Sequence, residues 1–131
     1  MFRNFFRPRP RRVSLRRGEA VLGHLVVEMA ATPWRRARGL MGRDRIEGDG
    51  MLLAYPWPRV ARIWMHRTTL ALDVLFIDAG GWVIGMAEGL QPGARSVVSS
   101  AQAVKWVLEL PAGRCAGLAV EIGDRLVFEP D

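Results

Sequence analysis

The sequence is poor in cysteine, lysine and histidine, and each shortage removes a class of chemistry. Cys115 is the single cysteine among 131 residues, so no internal disulfide forms and extracellular scaffolds held by disulfides are excluded. Two histidines stand 42 residues apart, and none of the close-spaced ligand patterns of a transition-metal site is present. No glycine cluster runs into Lys-Ser or Lys-Thr, so no phosphate cradle is expected. Neither a metal nor a cofactor is therefore assigned. No stretch free of charged side chains exceeds nine residues. A membrane-spanning helix needs about 20 apolar residues, so an integral helical membrane protein is excluded. Lysine occurs once, Lys105, against 18 arginines, a bias that points to a GC-rich genome.

What is present is arginine, and it is unevenly placed. The formal charge is +6, yet residues 1–17 hold seven arginines and no acid. Positions 18–131 keep 12 basic and 13 acidic residues, a near-neutral body. With Phe2, Phe5, Phe6, Pro8 and Pro10, the first 17 residues lack apolar periodicity and are expected to form an extended, solvated arm. Clustered arginine with interleaved aromatics suits an anionic membrane surface or nucleic acid. No apolar h-region follows Arg11-Arg12, so no cleavable signal is expected, and the reading is cytoplasmic or peripheral to the inner membrane.

The body, residues 18–131, reads as one mainly β domain, on the borderline of α+β. Its length and its 50% hydrophobic residues suffice for a single core. Ala20–Met29 is a first strand. Thr32-Pro33 starts a helix of about ten residues, with the hydroxyl as N-cap and proline at N1. Helical spacing puts Trp34, Ala37, Leu40 and Met41 on one side of it. Met51–Tyr55 is a strand closed by Pro56-Trp57-Pro58. In Val60–Met65, Ala61, Ile63 and Met65 point one way, and Arg62, Trp64 and His66 the other. Val74–Ile77 is a buried strand, turning through Asp78-Ala-Gly-Gly into Trp82–Ala87. Val104, Trp106, Leu108 and Leu110 alternate against Lys105, Val107 and Glu109, and Gly123-Asp124 turns into Arg125–Phe128. Seven to eight short strands with one or two short helices imply a compact β-sandwich or a partly open barrel.

Several of these segments resemble the DUF192 family (also called UPF0127) of bacteria and archaea. They are Thr32-Pro-Trp-Arg-Arg-Ala-Arg-Gly-Leu-Met-Gly-Arg43, Gly50-Met-Leu-Leu, Ile63-Trp-Met-His-Arg-Thr-Thr-Leu-Ala-Leu-Asp-Val-Leu-Phe-Ile-Asp78, Val107–Gly113 and Gly123-Asp124. The resemblance spans nearly all of residues 20–128 and implies a compact β-rich domain, with no activity assigned. The chain departs from the pattern where the family has Phe-Trp-Met-Lys-Asn-Thr, since His66 and Arg67 replace the lysine and asparagine. Ala71 stands at a family proline, and Trp34 and Arg35 at acidic positions. Arg36 falls at the family's arginine.

The candidate site follows from the outward face of Val60–Met65. Trp64 beside Arg62, His66 and Thr68, with Arg36 from the helix, forms an aromatic and basic groove for an anionic or amphipathic ligand. The alternative buries Trp64 under the helix. A second reading is enzymatic, with His66 and Asp73 as acid/base partners and Cys115 a weaker candidate nucleophile. A third makes the arm functional, tethering the domain to an anionic membrane or nucleic acid. The expectation taken forward is a small binding or accessory protein.

Overall fold

The computed structural model describes residues 8–130. Nine strands and two short helices follow one another: β1 (Arg11–Arg17), β2 (Ala20–Ala30), α1 (Pro33–Arg38), β3 (Gly50–Arg59), β4 (Arg62–Trp64), β5 (Leu72–Ile77), β6 (Val83–Leu90), β7 (Val97–Ser99), β8 (Val104–Pro111), α2 (Arg114–Leu118) and β9 (Arg125–Phe128). Seven of the strands form one sheet in the order β6-β5-β8-β3-β2-β1-β9, and β4 pairs with β7 in a small second sheet. The protein is mainly β.

The solvated arm expected over residues 1–17 does not extend to residue 17. Residues 1–7 lie outside the described residues, Pro8 to Pro10 are exposed, and Arg11–Arg17 is a sheet strand. Its alternation was masked by the arginines, because Val13 and Leu15 are fully buried while Arg12 is exposed, and a register shift after Leu15 turns Arg17 outward. β1 forms a hairpin with β2 and receives β9 on its other edge. Arg17 clamps the closing turn, donating from Nε to Asp124 Oδ1 at 2.9 Å and from Nη2 to Oδ2 at 3.0 Å. That guanidinium holds the Asp124 carboxyl below its ordinary pKa.

The central strands are buried on both faces, and alternation assigns each side chain to one of two cores. Leu25 and Val27 of β2, Leu52 of β3, Leu75 and Ile77 of β5, and Leu108 and Leu110 of β8 pack with Cys115 and Leu118 of α2. Met51, Leu53 and Tyr55 of β3, Val74 and Phe76 of β5, and Val107 pack on the opposite face. That second face is covered by Leu40 and Ile46 and by Ala61, Ile63 and Met65 around β4. The covering segment exists because β2 and β3 are parallel, with Val27 opposite Gly50. Parallel neighbours cannot be joined by a tight turn, so residues 31–49 cross the sheet face and carry α1 with them.

The long sheet coils until its edge strands touch. Trp82 bridges Arg125, Val83 N–H donates to Asp124 at 2.8 Å, and Leu126 N–H donates to Gly81 at 2.7 Å. Gly81 has φ +88°, and a Cβ there would lie 2.7 Å from the Leu126 carbonyl oxygen, so only glycine fits this seam. The architecture is a partly closed barrel with a small outer sheet.

Local departures from the sequence reading have simple causes. α1 stops at Arg38, six residues long, because Gly39 turns the backbone to φ +51°. Leu40 then drops into the core while Trp34 and Ala37 stay exposed, so the helix buries no residue of its own. The Thr32 hydroxyl does cap it, accepting from Arg35 N at 3.3 Å. β3 continues through Pro56-Trp57-Pro58 to Arg59, which pairs with Val104 after a break in register, the usual place for proline in a strand.

Candidate functional site

The crossover that covers the sheet also walls a cleft of about 690 Å³. Arg9 from the segment before β1, Trp34, Arg35 and Arg38 from α1, and Arg43 from the loop after it line this space, with Met51 from β3. α1 places its residues through Thr32-Pro33 at the start and Gly39 at the end, and Arg35 and Arg38 are one helical turn apart. The loop after α1 is tied on two sides. Gly42 N–H donates to the Arg67 carbonyl at 2.9 Å, and the Thr69 hydroxyl donates to the Arg43 carbonyl at 2.8 Å. Arg43 makes a two-pronged pair with Glu28 at 2.9 and 2.7 Å, which raises the arginine's pKa. Arg9 and Arg38 have no ion-pair partner among the described residues. Trp34 is 74% exposed at the rim, an uncommon placement for so large an apolar side chain.

Behind Gly39 lies Glu109 of β8, paired across the sheet with Met51. It is 4% exposed and on the crossover side of the sheet. A Cβ built on Gly39 would sit 3.2 Å from Glu109 Oε1, so the missing side chain at 39 is what makes room for the carboxyl. Burial pushes the Glu109 pKa up to about 7, and no neighbouring cation pulls it back.

The residues singled out from sequence are dispersed. Trp64 and His66 meet, their rings stacked with centroids 4.4 Å apart and planes 18° from parallel. Trp64 is 55% exposed beside Val97 of β7, and Arg62 is exposed on the same strand. Trp64 is therefore on the surface and not under the helix. Thr68 turns inward, buried, and donates to the His66 carbonyl at 3.3 Å. Arg36 is a staple, donating to the carbonyls of Ala31 at 2.7 Å and Ala54 at 3.1 Å, with its guanidinium 5.0 Å from the centre of the Tyr55 ring. Burial pushes the Tyr55 hydroxyl pKa up, partly offset by Arg59 and Arg36.

The His66 and Asp73 pair does not form. Asp73 is 1% exposed on the other face of the sheet, where Gly89 N donates to Oδ1 at 2.9 Å and Gly113 N and Cys115 N donate to Oδ2 at 2.9 and 3.0 Å. A carboxylate so engaged by three backbone donors anchors α2 and has no acceptor directed at an exposed histidine. Cys115 is buried, and its thiol pKa is pushed up to about 12, first by burial and then by Asp73, the reverse of what a nucleophile needs. Among the described residues no cluster of metal-ligating side chains occurs, and no helix is long and apolar enough to cross a membrane.

Sequence reasoning missed Arg9, Trp34, Arg35, Arg38, Arg43 and Glu109. Glu109 carried a usable signal. It alternates against Leu108 and Leu110 in a strand whose neighbour carries the solid apolar run Val74–Ile77, so its own polar face had to be covered too.

Coiled sheet, parallel β2 and β3, and a covering crossover together define a small β-barrel-like domain with a basic cleft under one segment. The chain belongs to the DUF192 family, described as an uncharacterized ACR, whose model matches residues 13–128. Among solved structures, a protein from Sinorhizobium meliloti 1021 described as a "putative transcription regulator" is 36% identical, covering 91% of this chain and 93% of its own with a TM-score of 0.86. A protein of unknown function from Novosphingobium aromaticivorans DSM 12444 is 28% identical, covering 90% and 84%, with a TM-score of 0.81. No curated protein matches the chain.

Proposed function

We propose that the chain is a binding module whose cleft takes a small anionic, amphipathic ligand. The observation that supports this is the convergence of Arg9, Arg35, Arg38 and Arg43 with an exposed Trp34 around one concavity, in which they outnumber the lining acids Glu28, paired with Arg43, and Glu47. Its volume, about 690 Å³, lies in the range of small-molecule sites. Guanidinium groups supply planar, charge-assisted donors to a phosphate or carboxylate, and the indole supplies a face for an apolar or planar portion. The ligand class is the one the sequence suggested, but the lining differs, since Arg62 and Trp64 lie on the outer sheet, His66 in the turn after it, and Arg36 is engaged with backbone carbonyls.

The test is a titration of the full chain with phenyl phosphate, followed by amide NMR. Shifts concentrated at residues 34–43, weakened about tenfold in Arg38→Ala, are expected from the loss of one charge-assisted contact. Shifts confined to Trp64 and His66, or none at millimolar ligand, overturn the assignment.

A further inference from the structure

The small outer sheet of β4 and β7 shares no residue with the cleft, and its chemistry is set by where acids are missing. From Gly50 to Leu72 and from Gly89 to Leu108 there is no aspartate or glutamate, while Arg59, Arg62, Arg67, Arg95 and Lys105 fall in those two stretches. The body as a whole is near neutral, so its positive charge is concentrated in these segments. Lys105 donates to the Tyr55 carbonyl, and Arg59 lies over the Tyr55 ring. Among the described residues no ion pair or side-chain hydrogen bond engages Arg62, Arg67 or Arg95.

Strand register brings the two stretches together. Arg62 pairs with Ser99 and Trp64 with Val97. The same register holds at both ends, where Ser100 N–H donates to the Ala61 carbonyl at 2.9 Å and Gly93 N–H to the Thr68 carbonyl at 3.0 Å. Arg95 therefore falls alongside the turn that carries His66 and Arg67. Alternation sends Ala61, Ile63 and Met65 into the core and leaves Arg62, Trp64, Val97 and Ser99 exposed on the outer face. The stacked rings of Trp64 and His66 lie on that face, with Arg62 to one side along the chain and Arg67 and Arg95 to the other. None of these side chains belongs to either core.

We propose that this face binds single-stranded nucleic acid, a base extending the Trp64–His66 stack while the phosphates on either side of it meet Arg62 and the Arg67–Arg95 pair. Every base has a π-face and alternates with phosphate along the strand, so a stack set between guanidinium groups matches the repeat of the polymer. A duplex keeps its bases stacked on one another and presents mainly its backbone, which leaves the indole without a partner. A membrane surface fits less well. The ring against the indole is a histidine, and Ser96 and Ser99 are exposed nearby, where an inserting face needs apolar side chains. This reading goes beyond the small-molecule cleft and stands or falls separately from it.

The test titrates the full chain into fluorescein-labelled oligo(dT) and oligo(U) of about 15 nucleotides, read by anisotropy at about 0.1 M salt. At least one single strand is expected to bind about tenfold or more tightly than a duplex of the same length. Trp64→Ala is expected to weaken that binding about tenfold or more, and Trp64→Phe, which keeps a stacking ring, to stay within about threefold of wild type. Arg62→Ala should lower the affinity and reduce the slope of log K against log salt by about one. Binding of neither strand overturns the proposal. Undiminished binding in Trp64→Ala overturns it too, tracing the affinity to basic residues elsewhere, such as the arginines of the first 17 positions. A duplex held as tightly as the single strands overturns it by reducing the face to a charged surface. Phosphatidylglycerol vesicles bound through Trp64, with no oligonucleotide bound, overturn it in favour of a membrane. Trp64 is exposed, so an unchanged circular dichroism spectrum is expected for both of its variants.

Discussion

At the scale of single residues, the buried Glu109 makes a prediction about stability. In the unfolded chain Glu109 ionises around its ordinary pKa of 4.5, whereas in the fold it holds its proton to about 7. Below the lower value both states are protonated and the group is neutral to stability. Between the two values the folded state alone keeps the proton, so stability falls as pH rises, and the loss is complete above the folded value. The shift corresponds to roughly 3 kcal/mol. Urea unfolding across this window should show wild type losing stability relative to Glu109→Gln as pH rises, and parallel curves would mean the carboxyl is solvated. Asp124 works in the opposite sense, since Arg17 lowers its pKa, and its contribution is lost only at more acidic pH.

At the scale of elements, the turn after β4 gives a departure from the family pattern a conformational cost. Arg67 sits at φ +53°, a left-handed conformation that asparagine and glycine tolerate better than arginine. Its carbonyl accepts from Gly42, so the turn also fastens the cleft-forming loop. The asparagine that the family resemblance leads one to expect there therefore has a conformational reason as well as any chemical one. Arg67→Asn is expected to raise stability by about 0.5–1 kcal/mol, measured by chemical denaturation. A destabilised variant would show that the arginine side chain contributes more than its backbone costs.

The elements differ in how openly the sequence displayed them. Val74–Ile77, the greater part of β5, and Arg125–Phe128 were readable because an apolar run and a Gly-Asp turn each have one local cause. β1 was hidden because four of its seven residues are arginine, although Val13 and Leu15 still alternate correctly. α1 misled in the other direction. Its spacing grouped Trp34 with Leu40, but Gly39 breaks the helix between them, sending one to solvent and the other to the core. The site was less readable than the fold, because its members come from residue 9, β2, α1, the following loop and β3, which only the crossover brings together.

At the scale of the whole molecule, the coiled sheet depends on a narrow seam. One bridge and a few backbone hydrogen bonds join β6 to β9, and Gly81 lets the strands approach. Gly81→Ala combines a strained φ of +88° with a Cβ 2.7 Å from a carbonyl oxygen. A cost of about 1–3 kcal/mol is expected, with amide exchange accelerating first at Val83 and Leu126. Uniform acceleration throughout the sheet would instead mean that seam and sheet open as one unit.

The sheet order has a consequence for the chain as it leaves the ribosome. Among the described strands β1 is made first and its outer neighbour, β9, last. Throughout synthesis the backbone donors and acceptors on that side of β1 remain uncovered, an open invitation to strands of other nascent chains. Arginines at positions 11, 12, 16 and 17 surround the short apolar segment with positive charge during this interval. The basic run near the start of the sequence thus doubles as a guard for an unfinished sheet, repelling its own kind until the final strand arrives.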